Sequence, residues 1–435
     1  MPSEFPTRQT IAARQLAQLR QLLAALLPAS GFYAKKLSGL DTNISGLEDL
    51  QRLPFTTKQE LSEDQRAFPP YGSVLTCPPG RYTRFHQTSG TTRDPLRWLD
   101  TPESWQSMVE SWKIIYRVAG VRHGDRVYFA FSFGPFLGFW LAFDAAQQLG
   151  CLCLPGGGLS SPGRLKAIID NATTVLCCTP SYAVRLAEVA AAGNLDLRSA
   201  KVCSIIVAGE PGGSIPATRR RLEKLWPGAR IFDHHGMTET GPISHECPAQ
   251  PGVLHVIESA YLPEVIDPAG NPVAPGQIGE LVVTTLGRLA SPLLRYRTGD
   301  LVRVASAPGS PCACGRHDLA LTGGILGRAD DMLIVRGVNI YPSAVEEILH
   351  GFSEIAEYQA SVSPSASLLE LSLQIELSAG CAEADAVVQR LQTKLHTAFN
   401  LRVPIEIAPA GSLPRFEMKA SRWRVVGRRD HQETK

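Results

Sequence analysis

Residues 88–95 read Thr-Ser-Gly-Thr-Thr-Arg-Asp-Pro. Hydroxyls packed around a glycine suit a loop whose backbone N–H groups and Oγ atoms wrap phosphate oxygens. Gly90 lets the backbone come close to such a group. An ordinary polar turn has the same composition, and the Gly-x-x-x-x-Gly-Lys-[Ser/Thr] pattern of a nucleotide-triphosphatase loop is absent. A second constellation is built on sulfur. Cys312-Ala313-Cys314-Gly315 carries two thiols on one turn, and Cys247 and His255 stand upstream, separated by seven residues. Two thiolates on a knuckle plus a Cys and a His from elsewhere supply the four ligands of a closed tetrahedral zinc site, which would be structural. His245 competes with His255 for the fourth position, and unlinked surface cysteines are the alternative.

The elements that must position these groups show in the apolar pattern. Thr101 is a candidate N-cap, with Pro102 at the first helical position. Trp105, Met108, Val109, Trp112, Ile115 and Tyr116 then fall on one helical face. Beyond it, strands and helices alternate: Arg126–Phe131, Gly138–Leu149, Cys151–Leu154, Ser161–Asp170, Thr174–Cys178, Tyr182–Ala191, Cys203–Ala208 and Ile215–Leu225. That alternation predicts an α/β fold on a doubly wound, mostly parallel sheet. After about residue 250 the texture becomes turn-rich, with short strands such as Gly279–Thr285, and predicts a small barrel-like antiparallel subdomain. Leu369, Leu371, Leu373, Ile375 and Leu377 alternate with polar residues as a half-buried strand does. Val387, Leu391 and Leu395 stripe the next helix. The expected division is a large domain over 1–327, a hinge at 328–331 and a small α+β domain over 332–435. Residues 1–65 read as helical and peripheral.

Bulk properties exclude several classes. The 435 residues are 44% hydrophobic and 19% charged, an ordinary globular composition. The net charge of +2, from 43 basic and 41 acidic residues, argues against nucleic acid or an anionic membrane as partner. No uncharged apolar stretch reaches the ~18 residues of a membrane span. The start lacks a secretory pattern. Cys151, Cys153, Cys177, Cys178, Cys203 and Cys381 lie mostly within or beside apolar runs and read as small buried hydrophobes. The cytoplasm is the expected compartment.

The ordered motifs resemble a known family. Thr88-Ser89-Gly90-Thr91-Thr92 is similar to the phosphate loop of the adenylate-forming superfamily of acyl-CoA synthetases, adenylation domains and luciferases. Ala208-Gly209-Glu210-Pro211-Gly212 and His234-His235-Gly236-Met237-Thr238-Glu239 resemble its two adenine-pocket motifs. Tyr296-Arg297-Thr298-Gly299-Asp300 resembles the ribose motif, and Gly327-Arg328-Ala329-Asp330-Asp331 the domain hinge. Lys419 stands where the C-terminal lysine belongs. Pro155-Gly156-Gly157-Gly158 and the Gly-Glu-Pro form of the adenine motif narrow the resemblance to the phenylacetate–CoA ligase branch.

What the resemblance implies is specific. ATP would bind through Ser89, Gly90, Thr91, Thr92, Gly209, Glu210, Pro211, His234, His235, Gly236, Met237 and Thr238. Asp300 would accept from the ribose hydroxyls, Arg328 would bind ribose or phosphate, and Glu239 would hold Mg²⁺. Lys419 would meet the charge developing between the carboxylate and the α-phosphate, and Asp330 would be the hinge of a rotating small domain. A carboxylic acid, expected to be aromatic, would become acyl-AMP and then pass to coenzyme A. Phe136, Gly157 and Gly158 are assigned to the acid pocket, while core packing accounts for most aromatic residues around them. A carrier-protein phosphopantetheine offers the same thiol as CoA and is the alternative acceptor. Two departures stand out: Arg93-Asp94-Pro95 replaces the usual Gly-Lys-Pro, and His235 replaces a tyrosine, so a degenerate nucleotide-binding homologue is the third reading. The oligomeric state is left open, with a homodimer as one option.

Overall fold

A computed structural model describes residues 5–88, 95–305, 311–365, 368–378, 380–381, 383–416 and 422–425. Its centre is a parallel sheet of five strands: β1 (Arg126–Phe129), β2 (Leu152–Pro155), β3 (Val175–Cys178), β4 (Ser204–Val207) and β5 (Arg230–Asp233), in the spatial order β2-β1-β3-β4-β5. Every residue of β3 and β4 is buried, as expected of strands covered on both faces. Each crossover is a helix: α1 (Leu137–Gln148), α2 (Ser161–Asp170), α3 (Pro180–Ala192) and α4 (Pro216–Leu225). On one face Val127 and Phe129 pack with Leu141 and Ala145 of α1 and with Trp105, Trp112 and Tyr116. Those last residues come from the helix Pro102–Val118, capped by Thr101 as its sequence predicts. On the other face Tyr128, Leu176 and Ile205 meet Leu165 of α2, Leu186 of α3 and Leu222 of α4.

The turn-rich region forms two antiparallel sheets. One holds β6 (Tyr261–Ile266), β7 (Ile278–Thr285), β8 (Tyr296–Arg303) and β9 (Gly327–Arg328) in that order. The other holds Ser244–Glu246, Val253–Val256 and Ala320–Thr322. A bridge between Val304 and Leu321 joins them. Beyond β9, a mixed sheet built on Ile355–Ser365 and Leu368–Leu377 carries the helices Pro342–His350 and Ala384–Phe399. Leu371, Leu373 and Ile375 face Val387, Leu391 and Leu395 in one core, so the alternation and the helical stripe are opposite sides of the same interface.

Two expectations need correction. The N-terminal helix Arg8–Leu26 is not peripheral. Its leucines recur on one face, and Leu19, Leu22 and Leu26 are fully buried against a cluster containing Leu293, Leu294 and Tyr296. Gln15 Nε2 donates to Glu258 Oε2 (2.8 Å) and Tyr261 O (2.9 Å). An apolar helical face needs a cover, and here the chain just before the ribose motif supplies it. Cys203 is exposed rather than buried, because it precedes the first ladder residue of β4 at the sheet's end.

Leu22→Ala removes a fully buried side chain from this cluster and is expected to destabilise the fold by about 3 kcal/mol. Urea unfolding with an unchanged m-value and a lowered midpoint checks it. A change near zero would show that the helix contributes no core.

Candidate active site

The loops that follow the parallel strands carry the chemistry. Residues 130–136 follow β1, 156–158 follow β2, 208–212 follow β4, and 234–239 follow β5. Open α/β sheets bind ligands in the crevice outside these carboxyl ends. Gly209 has φ +91°, a left-handed turn that glycine adopts freely. A Cβ at Gly156 would lie 2.7 Å from Phe129 O, so that loop sits directly on β1.

Asp300 lies on β8, 4% exposed, and is held from two sides. Arg328 Nη1 donates to Oδ1 (3.2 Å), and His235 Nε2 lies 3.0 Å from Oδ2. Antiparallel pairing of Asp300 with Arg328 brings them together. The Arg328 fork also binds Asp330, through Nε to Oδ1 (2.8 Å) and Nη2 to Oδ2 (3.2 Å). One guanidinium thus ties the ribose-motif carboxylate to the expected hinge residue. His235, placed by the resemblance in an adenine-pocket motif, reaches the ribose-motif carboxylate.

Glu239 is 5% exposed. Its Oε1 accepts from Tyr296 Oη at 3.5 Å and pairs with Lys58 Nζ at 3.2 Å. Arg288 holds the backbone beneath it. Arg288 Nη1 donates to Thr238 O (2.9 Å) and Glu239 O (2.8 Å), while Nε and Nη2 fork onto Asp100 at 2.7 and 2.6 Å. Lys58, Arg288 and Asp100 escaped the sequence reading. Lys58 lies within the capping box Thr57–Glu60, which explains its helix but gives no sign of a carboxylate 181 positions away (239 − 58).

The adenine motifs stand on buried polar groups. Glu210 Oε1 accepts the backbone N–H of Ser181 (2.7 Å) at the start of α3. The His234 ring meets Trp112 edge-on, 4.4 Å between centroids. Burial, then the charge of His235, pushes the His234 pKa down to about 3, so its imidazole is neutral. Asp233 accepts from Ser214 Oγ (2.6 Å), and its backbone N–H donates to Glu246 Oε2 (2.9 Å). Burial raises the Asp233 pKa to about 7.

Phe131 and Phe139 stack at 4.0 Å, with Phe136 edge-on to Phe139 at 5.9 Å. Phe133 packs inward on Phe129, Phe143 and Trp140, a core role. A Cβ at Gly157 would make ordinary contact with Phe131 O (3.7 Å) and Phe133 (3.8 Å). Gly158 is left-handed, φ +76°. Ser89, Gly90, Thr91 and Thr92 of the phosphate loop, Arg93, Asp94 and Lys419 lie outside the described residues.

The sulfur constellation assembles. The ligand atoms of Cys247, His255, Cys312 and Cys314 all lie within 4.8 Å of one another. Cys247 Sγ is 3.6 Å from Cys312 Sγ, and Cys314 Sγ is 3.4 Å from His255 Nε2. The other His255 nitrogen, Nδ1, is 3.3 Å from Asp318 O, the second contact that orients a ligating imidazole. His245 stands opposite His255 across the strands, but its Nδ1 bonds Glu246 O at 2.9 Å.

Comparison with known proteins fits this geometry. Residues 53–288 match the AMP-binding enzyme family model, and residues 337–429 match that of the AMP-binding enzyme C-terminal domain. Phenylacetate-coenzyme A ligase of Thermus thermophilus is 33% identical, over 94% of this chain and 95% of its own length. The enzyme of that name from Pseudomonas putida is 30% identical, over 96% and 95%. Among solved structures, a 2-hydroxyisobutyryl-CoA ligase in the postadenylation state, bound to an acyl-AMP (R3-HIB-AMP), superposes with a TM-score of 0.90 at 28% identity, covering 97% of this chain and 90% of its own. In the thioesterification state the same ligase, covering 97% and 91%, scores 0.69. The chain belongs to the AMP-binding enzyme family, in its phenylacetate–CoA ligase branch. It is an AMP-forming acid–CoA ligase: it activates a carboxylic acid with ATP as acyl-AMP and passes the acyl group to CoA.

The raised Asp233 pKa has a pH consequence. The folded state retains this proton where the unfolded chain, near 3.8, has lost it. Folding therefore gains protons between about pH 4 and 7, and the contribution of this group to stability declines as pH rises through that window. Asp233→Asn removes the titration. Wild-type stability relative to the variant is expected to fall across that range in urea melts; a constant difference would show that Asp233 is ionised throughout.

Proposed function

We propose that the activated acid is an aryl or arylacetic acid of the phenylacetate class. The observation that carries this is near full-length similarity to two phenylacetate-coenzyme A ligases, supported by the Phe131, Phe136 and Phe139 rings clustered just after β1. Flat rings complement a flat substrate. A short hydroxy acid is the second reading, favoured by the structural likeness to 2-hydroxyisobutyryl-CoA ligase.

The first step is attack of a carboxylate on the α-phosphate of ATP, with pyrophosphate leaving. Both reactants are anions, so positioning and charge stabilisation dominate. Asp300 orients the ribose, with Arg328 holding its carboxylate in place. Glu239 is the residue that would hold Mg²⁺, and the metal would supply charge neutralisation on the phosphates. Lys58, paired with Glu239, adds a cation on the same side. Lys419 is assigned to the charge between carboxylate and α-phosphate. Cys247, His255, Cys312 and Cys314 fit a closed zinc site of S₃N type. It would pin the strand Ser244–Glu246, whose Ser244 Oγ accepts from His235 N at 3.2 Å. Ten cysteines without a disulfide among them suit the reducing cytoplasm.

ATP–pyrophosphate exchange over a panel of arylacetic, benzoic and short hydroxy acids decides the substrate. Exchange fastest with phenylacetate supports the first reading, and exchange confined to hydroxy acids overturns it. For the metal, one zinc per chain is expected in tag-free protein, with loss of zinc in Cys312→Ser and a lowered melting temperature after chelation. A metal content well below one per chain ends that assignment.

A further inference from the structure

The small domain touches the large one through a short set of polar contacts. Arg422, which precedes the strand Trp423–Val425, forks onto Glu357 with Nε to Oε1 at 2.6 Å and Nη2 to Oε2 at 3.1 Å. Its remaining nitrogen, Nη1, crosses to the large domain and donates to Ser181 Oγ at 3.1 Å. The Tyr358 ring (5.2 Å) and the Phe416 ring (5.6 Å) flank the guanidinium. Ser181 is the residue whose backbone N–H binds Glu210 of the adenine motif. A second crossing lies alongside: His350 Nδ1 and Thr218 Oγ1 are 2.7 Å apart. Burial drives the His350 pKa down to about 3, with Arg422 and Arg221 opposing its protonation, so this is a neutral hydrogen bond. Both crossings line one cleft, together with Arg221, Glu357 and Phe416.

We infer that Arg422 is a positioning residue for the first half-reaction, docking the small domain onto the Ser181–Glu210 corner of the adenine site in the arrangement that forms acyl-AMP. Its charge is already matched by Glu357 within its own domain, so the third N–H is free to report on the neighbour. That donor reaches one hydroxyl, on the element that also holds the adenine motif. The arrangement in which these contacts exist resembles the postadenylation state of 2-hydroxyisobutyryl-CoA ligase (TM-score 0.90) more closely than its thioesterification state (0.69). A contact made in one arrangement stabilises that one alone. Loss of such docking slows the first step and is neutral or favourable to the second.

The two half-reactions are measured apart: pyrophosphate exchange with phenylacetate and ATP, and thioester formation from synthetic phenylacetyl-AMP and CoA. Wild-type exchange with phenylacetate is run first, so a wrong acid shows there and not as a failure of docking. Arg422→Gln is expected to lower the exchange kcat by roughly tenfold, the size of a lost charged hydrogen bond, with thioester formation within about twofold of wild type. Arg422→Lys restores part of the exchange. Ser181→Ala with Thr218→Val breaks the crossings from the large-domain side, leaves the Arg422–Glu357 pair intact, and gives the same split. Equal loss in both half-reactions for both variants, or no loss in exchange for the double variant with its fold intact, overturns the assignment.

Discussion

The buried pair between Arg288 and Asp100 is the interaction on which the site depends. Arg288 is 2% exposed and Asp100 fully buried. Two charges in a low-dielectric interior are stable only when their remaining hydrogen-bonding positions are filled. Here the forked geometry fills two of the guanidinium nitrogens with the carboxylate, and the third holds the carbonyls of Thr238 and Glu239. Asp100 ends the strand that leads out of the phosphate loop. Arg288 begins the segment whose Leu293 and Leu294 receive the N-terminal helices. Removal of either partner would leave the other charge buried alone, a loss of about 3–5 kcal/mol. The strand Arg97–Asp100 and the backbone of Thr238 and Glu239 share this one anchor.

Around that anchor the site is assembled from carboxylates that are restrained before any substrate arrives. Asp300 is held by Arg328 and faces His235; Glu239 is held by Tyr296 and Lys58; Glu210 caps the start of α3. A reaction between two anions gains from groups already oriented, because reorganisation during the step adds to the barrier. The same restraints connect the domains. Arg328 binds both Asp300 and Asp330, and Ser181 binds both Glu210 and Arg422.

Much of this was legible in the chain. Short apolar strands alternating with amphipathic helices gave the doubly wound sheet with element ends within a few residues, because burial on both faces forces continuous apolar runs. Gly209, Asp300 and Glu239 could be singled out in the chain because each sits inside a motif that resembles one of the adenylate-forming family. The N-terminal helix misled: its leucine face is visible in sequence, but what covers it is not. Cys203 misled for the converse reason, as an apolar neighbourhood in sequence became a sheet end in space.

By itself the sequence determined the order of elements and the residue types available at each loop, since periodicity and local backbone demands are encoded within a few turns of chain, and its ordered motifs marked the adenylate-forming class by resemblance. Tertiary structure alone decided partners that are distant along it. His255 rather than His245 meets the thiols: its Nε2 lies 3.4 Å from Cys314 Sγ, while the His245 ring is held on Glu246 O. Lys58 reaches Glu239, Arg288 reaches Asp100, and Arg422 reaches Ser181 only once the sheets have packed. Such pairings follow from the geometry of the assembled core, and no local pattern of residues specifies them.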